Sequence, residues 1–234
     1  SAAVWASGRG LNVPIDAQSF GAYPGRGLVH LVDADGSVWW LYFITGRSPA
    51  SRARRVAVSG SDLLIESTDV DVADDPLRHY ACLRPIDGGV VVGNGDHVEV
   101  LADRLRNGEP LGAIVDAIEP EPDAPSFTPR IALVLDDRSR SVAVCQDGDR
   151  VVRRIEQIER TPQVATVLTT YSGPIDSPRG DAPSFALSEQ RSISELAQGI
   201  FKEALPATLT VLLVAGPAHP GSDHPDDWLR RFPS

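Results

Sequence analysis

The sequence has little cysteine, almost no lysine and no long apolar run. Two cysteines, Cys82 and Cys145, with no C-x-x-C pair, argue against a disulfide scaffold or a structural zinc site and suit a reduced, cytoplasmic setting. The longest strongly apolar run, 208–215 (TLTVLLVA), is far short of the roughly 20 residues that cross a bilayer as a helix. The first residues lack a basic stretch followed by an apolar core, so no signal peptide is expected. A soluble protein without a membrane partner is the expectation. A net charge of −10 disfavours nucleic acid as a partner, although a small phosphorylated ligand feels a local cluster rather than the total. Lys202 is the only lysine, so an anion site must be built from arginine, helix N-termini or backbone N–H groups. P-loop, G-x-G-x-x-G and G-x-S-x-G signatures are all missing.

What is present is a globular composition, 42% apolar and 23% charged over 234 residues, read as a single domain over 1–234. Residues 1–20 show no sustained period, and 216–234 read as a surface tail. Strands are expected at 27–33 and 38–44 around the turn Asp33-Ala34-Asp35-Gly36, then at 54–58, 63–66, 79–84 and 89–93. The stretch 46–55 (GRSPASRARR) reads as a loop. Residues 97–118 read as a helix broken at Gly108 and Pro110. A meander follows over 131–135, 141–146 and 150–158, then strands at 164–171 and 208–215. Between those last two, residues 193–204 form the clearest helix, opened by a Ser192/Glu195 capping box. Strands in blocks with few helices point to an α+β fold with antiparallel sheets.

Two segments are chemically loaded. Residues 23–55 hold Arg26, Arg47, Arg52, Arg54 and Arg55 against Asp33 and Asp35, a net of +3, while residues 61–123 carry four arginines and fifteen acids, a net of −11. A basic island in an acidic chain suits a phosphate-bearing ligand, although such arginines also pair with nearby carboxylates as plain surface. The segment Glu119-Pro-Glu-Pro-Asp-Ala-Pro-Ser-Phe-Thr-Pro-Arg130 has four prolines, which stiffen a loop bearing three carboxylates. Such stiffness serves a catalytic base as well as it serves a structural turn. Cys82 sits in an apolar strand and reads as packing. His79 and His97 lack partners at metal-ligand spacing, and the His219–Asp226 tail is a weak metal candidate; no metal or cofactor is expected.

Six blocks in order carry a family resemblance: Tyr23-Pro-Gly-Arg-Gly27, Gly46-Arg-Ser-Pro-Ala-Ser-Arg52, Tyr80-Ala-Cys-Leu-Arg84, Asn94-Gly-Asp-His97, Glu121-Pro-Asp-Ala-Pro-Ser-Phe-Thr-Pro-Arg-Ile131 and Thr169-Thr-Tyr171. Over about residues 22–185 the chain resembles the archaeal-type IMP cyclohydrolase family, which includes bacterial members. The resemblance implies a four-layer αββα sandwich like that of N-terminal nucleophile hydrolases, without a terminal nucleophile. It implies a hydrolase of purine biosynthesis that closes 5-formamidoimidazole-4-carboxamide ribonucleotide to IMP and water. Arg52 then corresponds to the catalytic cation that steadies the oxyanion, and Glu121 to the proton shuttle, the two meeting across one pocket. Arg26 and Arg47 are the expected phosphate ligands, with Arg84 and Arg130 as further contributors, and Tyr23, Asn94 and Tyr171 as base or ribose contacts. Homo-oligomerisation is left open.

The chain departs from the family pattern at four positions. Ala81 replaces an asparagine, Val98 and Val100 replace threonines, and Phe127 stands where tyrosine or asparagine is common. Each change removes a polar group, and if those groups touch substrate the specificity changes. A paralogue acting on another purine-like or imidazole nucleotide, and a non-catalytic nucleotide-binding protein, are the alternatives.

Overall fold

The protein was analysed as a computed structural model, which describes residues 23–68, 77–188, 191–192, 195–197, 209–215 and 229–232. Its strands are β1 (Arg26–Val32), β2 (Val38–Thr45), β3 (Arg54–Ser59), β4 (Asp62–Ser67), β5 (Tyr80–Ile86), β6 (Gly89–Gly93), β7 (Arg130–Leu135), β8 (Ser139–Asp147), β9 (Arg150–Gln157), β10 (Val164–Thr169), β11 (Ser184–Ser188), β12 (Leu209–Ala215) and β13 (Leu229–Phe232). Its helices are α1 (Pro49–Arg52), α2 (His97–Arg106) and α3 (Leu111–Asp116). One sheet has the order β11-β10-β1-β2-β12-β13 and the other β3-β4-β5-β6-β7-β8-β9. All pairings are antiparallel. The fold is mixed α+β.

Burial explains the strand sequences. Leu28, Trp40, Tyr42 and Ile44 from the first sheet pack with Ile65, Tyr80, Cys82, Val92, Ile131 and Leu133 from the second. Alternate residues face outward. Val91, Ala132, Val134, Val142 and Val144 meet Val98, Leu101 and Ala102 of α2 and Ile114 and Val115 of α3. On the far side, Val29, Leu31, Leu41, Phe43 and Val167 pack with Leu196 and Ala197. Central strands covered on both faces are therefore almost continuously apolar, as in β7 (RIALVL), where every residue is buried. The edge strand β9 alternates exposed and half-buried residues instead, and its sequence is polar.

The structure differs from the sequence reading at short elements. The 46–55 stretch contains α1, capped by Ser48, whose hydroxyl accepts from Ser51 N while the Ser51 hydroxyl accepts from Ser48 N. A single capped turn offers too few residues to show a period. β11 was not anticipated, and β13 lies within the presumed tail, pairing with β12. The Ser192/Glu195 capping box is formed, with Ser192 N donating to the Glu195 carboxylate at 2.8 Å. Residues 1–20, the remainder of the 193–204 helix and most of the tail lie outside the described residues. Among the described residues, no helix is long and apolar enough to cross a membrane.

A polar pin joins the sheets. His30 on β1 is fully buried, with Nε2 2.9 Å from the Ser139 hydroxyl on β8, which also accepts from Arg160 Nε at 3.0 Å. Burial, reinforced by the Arg160 charge, lowers the His30 pKa from 6.5 to about 4. In that window the unfolded chain binds a proton that the folded chain refuses. The contribution of His30 is thus complete above about pH 6.5 and is lost as pH falls toward 4. Urea denaturation across pH 7 to 4 should show stability falling with acid, and His30→Asn should flatten the slope by up to about 3 kcal/mol. Parallel profiles for the two proteins would contradict this.

Candidate active site

The site lies where the ends of β1, β2 and β10 meet α1 and the proline-rich loop. A cavity of about 110 Å³ is lined by Tyr23, Arg26, Thr45, Arg47, Ser51 and Arg54 together with Thr128, Thr170 and Tyr171. It shares Tyr23, Arg47 and Ser51 with an outer basin of about 540 Å³ that is completed by Ser48, Ile175 and Asp176. Together they are in the size range of small-molecule sites. Gly25, which has φ +71°, allows the chain to turn here, and a Cβ on it would lie 2.3 Å from the Thr170 hydroxyl.

Three arginines of the basic island converge. Arg26 is carried inward because it has the same parity on β1 as Leu28 and His30, and its Cζ lies 5.9 Å from the Tyr80 ring centroid. Burial opposes its charge, but the phenol oxygens of Tyr80 and Tyr42 and the Glu121 carboxylate more than offset this and raise its pKa. Arg47 lies 5.2 Å above the Tyr23 ring, which is itself stacked on Tyr171 at 5.8 Å. Arg54 donates to Leu77 O at 3.2 Å. Arg26 Nη1 and Arg54 Nε are buried without a hydrogen-bond partner among the described residues. Buried orphan donors cost about 1–3 kcal/mol each, a cost that an anionic ligand would relieve. Arg55, of opposite parity, points outward and pairs with Glu66 at 2.8 Å.

The proline-rich loop supplies the carboxylates. Glu121 is only 3% exposed, and its Oε2 lies 3.2 Å from Arg130 Nη1. Burial raises its pKa above the usual carboxylate value; Arg26 and then Arg130 oppose the rise, while Asp96 and Asp123 add to it. Arg130 is held in turn by Asp96 and by His97 Nδ1 at 3.4 Å. His97 Nε2–H donates to Ile131 O at 3.1 Å, and burial with the Arg130 charge pushes the ring down to about 3, so it is neutral. Asp123 accepts from Thr128 N at 2.7 Å and from the Thr128 hydroxyl, which lies 2.7 Å from the Tyr171 hydroxyl. A carboxylate in this loop can exchange a proton with a bound ligand, and the neighbouring guanidiniums can stabilise developing negative charge.

The other anticipated residues are placed as follows. Asn94 is fully buried and splints the loop: its amide donates to Pro129 O at 2.9 Å and accepts from Ile131 N at 2.7 Å. Arg84 lies outside the cavity lining, its guanidinium taken up by Asp62 at 3.0 Å and Asp103 at 3.1 Å. Neither Arg52 nor Glu121 is among the residues that line these two cavities. Arg52 ends α1 exposed, with Nε folded back onto Gly46 O at 2.9 Å, and the cationic charges acting on Glu121 are those of Arg26 and Arg130. Sequence reasoning missed Arg54, Thr45, Thr128, Thr170 and Asp123 as site residues. Strand parity could have separated Arg54 from Arg55, and the Thr169-Thr-Tyr171 block already contained Thr170. Ala81, Val98, Val100 and Phe127 do not line the cavity. Ala81 and Val98 are buried, Val98 between α2 and its sheet, and Val100 and Phe127 are 43% and 37% exposed. Among the described residues no three His, Cys, Asp or Glu side chains gather as a metal site.

Residues 23–218 match the model of a family described as IMP cyclohydrolase-like protein. The chain belongs to the IMP cyclohydrolase-like family. Its relatives include the IMP cyclohydrolase of Methanothrix thermoacetophila, 33% identical over 71% of this chain and 84% of that one. Those of Haloquadratum walsbyi and Methanocaldococcus jannaschii are each 27% identical, over 71% and 57% of this chain and 80% and 67% of theirs. The family match spans the cavity lining and the Glu121 loop alike.

Asn94→Ala should cost about 2–4 kcal/mol in urea denaturation, because the Ile131 N–H and the Pro129 carbonyl lose their partner in a dry interior. A loss below 1 kcal/mol would mean that the loop is held by other contacts.

Proposed function

We propose that this chain is an IMP cyclohydrolase, closing the pyrimidine ring of 5-formamidoimidazole-4-carboxamide ribonucleotide to give IMP and water. The observation that carries the reading is a buried carboxylate, Glu121, coupled to a buried guanidinium, Arg26, that lines a cavity with two further arginines. The carboxamide nitrogen attacks the formyl carbon and passes a proton to Glu121, forming the new C–N bond. The formyl oxygen gains negative charge in the tetrahedral intermediate. It then takes up two protons, one returned by Glu121 and one balanced by the proton that the formamido nitrogen releases as its C=N bond forms, and the C–O bond breaks to release water. Holding the two arms of one nucleotide together supplies much of the acceleration.

In this reading Arg26 takes the oxyanion role, which is supported by its charge acting on Glu121 and by an Nη1 without a hydrogen-bond partner among the described residues. Arg47 and Arg54 then face the phosphate. A second reading keeps Arg52 as the oxyanion's cation, from its motif position, and requires its side chain to leave Gly46 O. Tyr23 and Tyr171 line the part of the cavity left for base and ribose, while Asn94 and Arg130 hold the loop that carries Glu121. The packing of α2 and α3 on one sheet and of residues 196–197 on the other supports a single-domain αββα sandwich resembling the N-terminal nucleophile hydrolases. A cytoplasmic location completes the proposal.

Ultraviolet absorbance during incubation with the formamido nucleotide should show the purine chromophore. Glu121→Gln should lower kcat by about 10²–10⁴-fold. Arg26→Lys should lower kcat more than Arg52→Lys does; the reverse order would favour the second reading. Because a base must be deprotonated and burial raises Glu121, the acid limb of kcat/KM should have its midpoint above pH 4.5 and vanish in Glu121→Gln. Binding of IMP without turnover would favour a non-catalytic nucleotide-binding protein.

A further inference from the structure

Six of the residues that line the inner cavity carry hydroxyls: Tyr23, Thr45, Ser51, Thr128, Thr170 and Tyr171. A hydroxyl has one proton, so following each proton shows what the wall offers a ligand. Thr45 gives its proton to Gly25 O at 2.6 Å, Thr170 to Pro24 O at 3.1 Å, and Ser51 to Ser48 O at 2.9 Å. The remaining pair is settled by Asp123. A carboxylate only accepts, so the Thr128 hydroxyl donates to it, and the contact between Thr128 and Tyr171 can then run one way only. Tyr171 donates to Thr128. Five of the six hydroxyls have spent their protons on the protein, so the side-chain donors of this wall are the guanidiniums and Tyr23.

We propose that Asp123, acting through Thr128, fixes the Tyr171 hydroxyl as a hydrogen-bond acceptor in the cavity, and that this selects a ligand with an N–H donor on its base-bearing part. The inference rests on the nucleotide reading above and deepens it. Asp123 is a positioning residue, since it meets the ligand only through two other side chains. The arrangement divides the cavity by polarity: guanidinium donors take the anionic end of the ligand, and oxygen lone pairs take a donor at the other. A ligand presenting a carbonyl oxygen to Tyr171 would set two acceptors against each other in a dry site, whereas an N–H completes the chain to Asp123.

The chain can be reversed without changing its shape. In Asp123→Asn the amide oxygen keeps the Thr128 N–H, and the amide nitrogen donates to the Thr128 hydroxyl. Thr128 must then donate to Tyr171, whose own proton is released toward the cavity. Thr128→Val removes the acceptor for the Tyr171 proton and releases it by a different route, so two chemically unlike changes should act in the same direction. IMP and AMP are suitable ligands, because their purine edges have opposite polarity at both position 1 and position 6.

Calorimetric Kd values for IMP, AMP and ribose 5-phosphate should be measured on the wild-type protein, Asp123→Asn, Thr128→Val and Tyr171→Phe. The expected result is that the IMP-to-AMP preference shifts by about tenfold or more in the same direction in Asp123→Asn and Thr128→Val, and is lost in Tyr171→Phe. Ribose 5-phosphate affinity should stay within about twofold in Asp123→Asn, whose residue does not line the cavity. Folded variants that bind IMP with an unchanged IMP-to-AMP ratio would overturn the inference and leave the proposed function standing. Wild-type protein that binds neither nucleotide more tightly than ribose 5-phosphate would overturn the proposed function, and the inference with it.

Discussion

Everything at this site depends on a guanidinium buried at the end of the gap between two sheets. Arg26 is the first residue of β1, and strand parity turns it toward the interior rather than toward solvent. A lone buried charge would be costly, and Tyr80, Tyr42 and Glu121 are what make it tenable. Nη1 has no hydrogen-bond partner among the described residues, so the charge is stabilised without being consumed. Glu121 occupies the complementary position. Its carboxyl is pushed up by burial and pulled back by two arginines, an arrangement suited to both accepting and returning a proton.

The supporting structure gives this pair its precision. The proline-rich loop could not hold Glu121 by backbone stiffness alone, because it lies between a helix and a strand with few backbone hydrogen bonds of its own. Asn94 pins its end to β6 and β7, Asp123 ties its turn through Thr128, and Arg130 is itself braced by Asp96 and His97. These residues hold the loop, and their conversion to apolar side chains would loosen the site before it changed the chemistry. The departures at Ala81, Val98, Val100 and Phe127 fall outside the cavity lining.

Much of this was legible in the sequence, for identifiable reasons. β1, β2 and β7 announce themselves because central strands covered on both faces are almost continuously apolar, and α2 and α3 are separated by Gly108 and Pro110. The basic island and the proline-rich loop were visible as composition. α1, β11 and β13 were not, since elements of four or five residues carry no measurable period and these lack the apolar run that marks β6 (GVVVG). Within the site, motif position pointed to Glu121 as the base and to Arg26 as a phosphate ligand, but could not show that Arg52 folds back on Gly46 or that Arg84 is taken up by Asp62 and Asp103. Those outcomes depend on which carbonyl or carboxylate lies within reach, and that is settled only by tertiary packing. The Asp123–Thr128–Tyr171 chain was invisible for the same reason, spanning residues 123 to 171.

The most direct test of the account is a crystal structure with IMP bound. The account predicts the phosphate against Arg47 and Arg54 and the pyrimidine ring between Glu121 and Arg26, with a guanidinium nitrogen and a carboxylate oxygen both within about 3.5 Å of the atoms joined in ring closure. IMP bound elsewhere on the molecule, or seated in the cavity with its phosphate on Arg26 and its ring remote from Glu121, would contradict it.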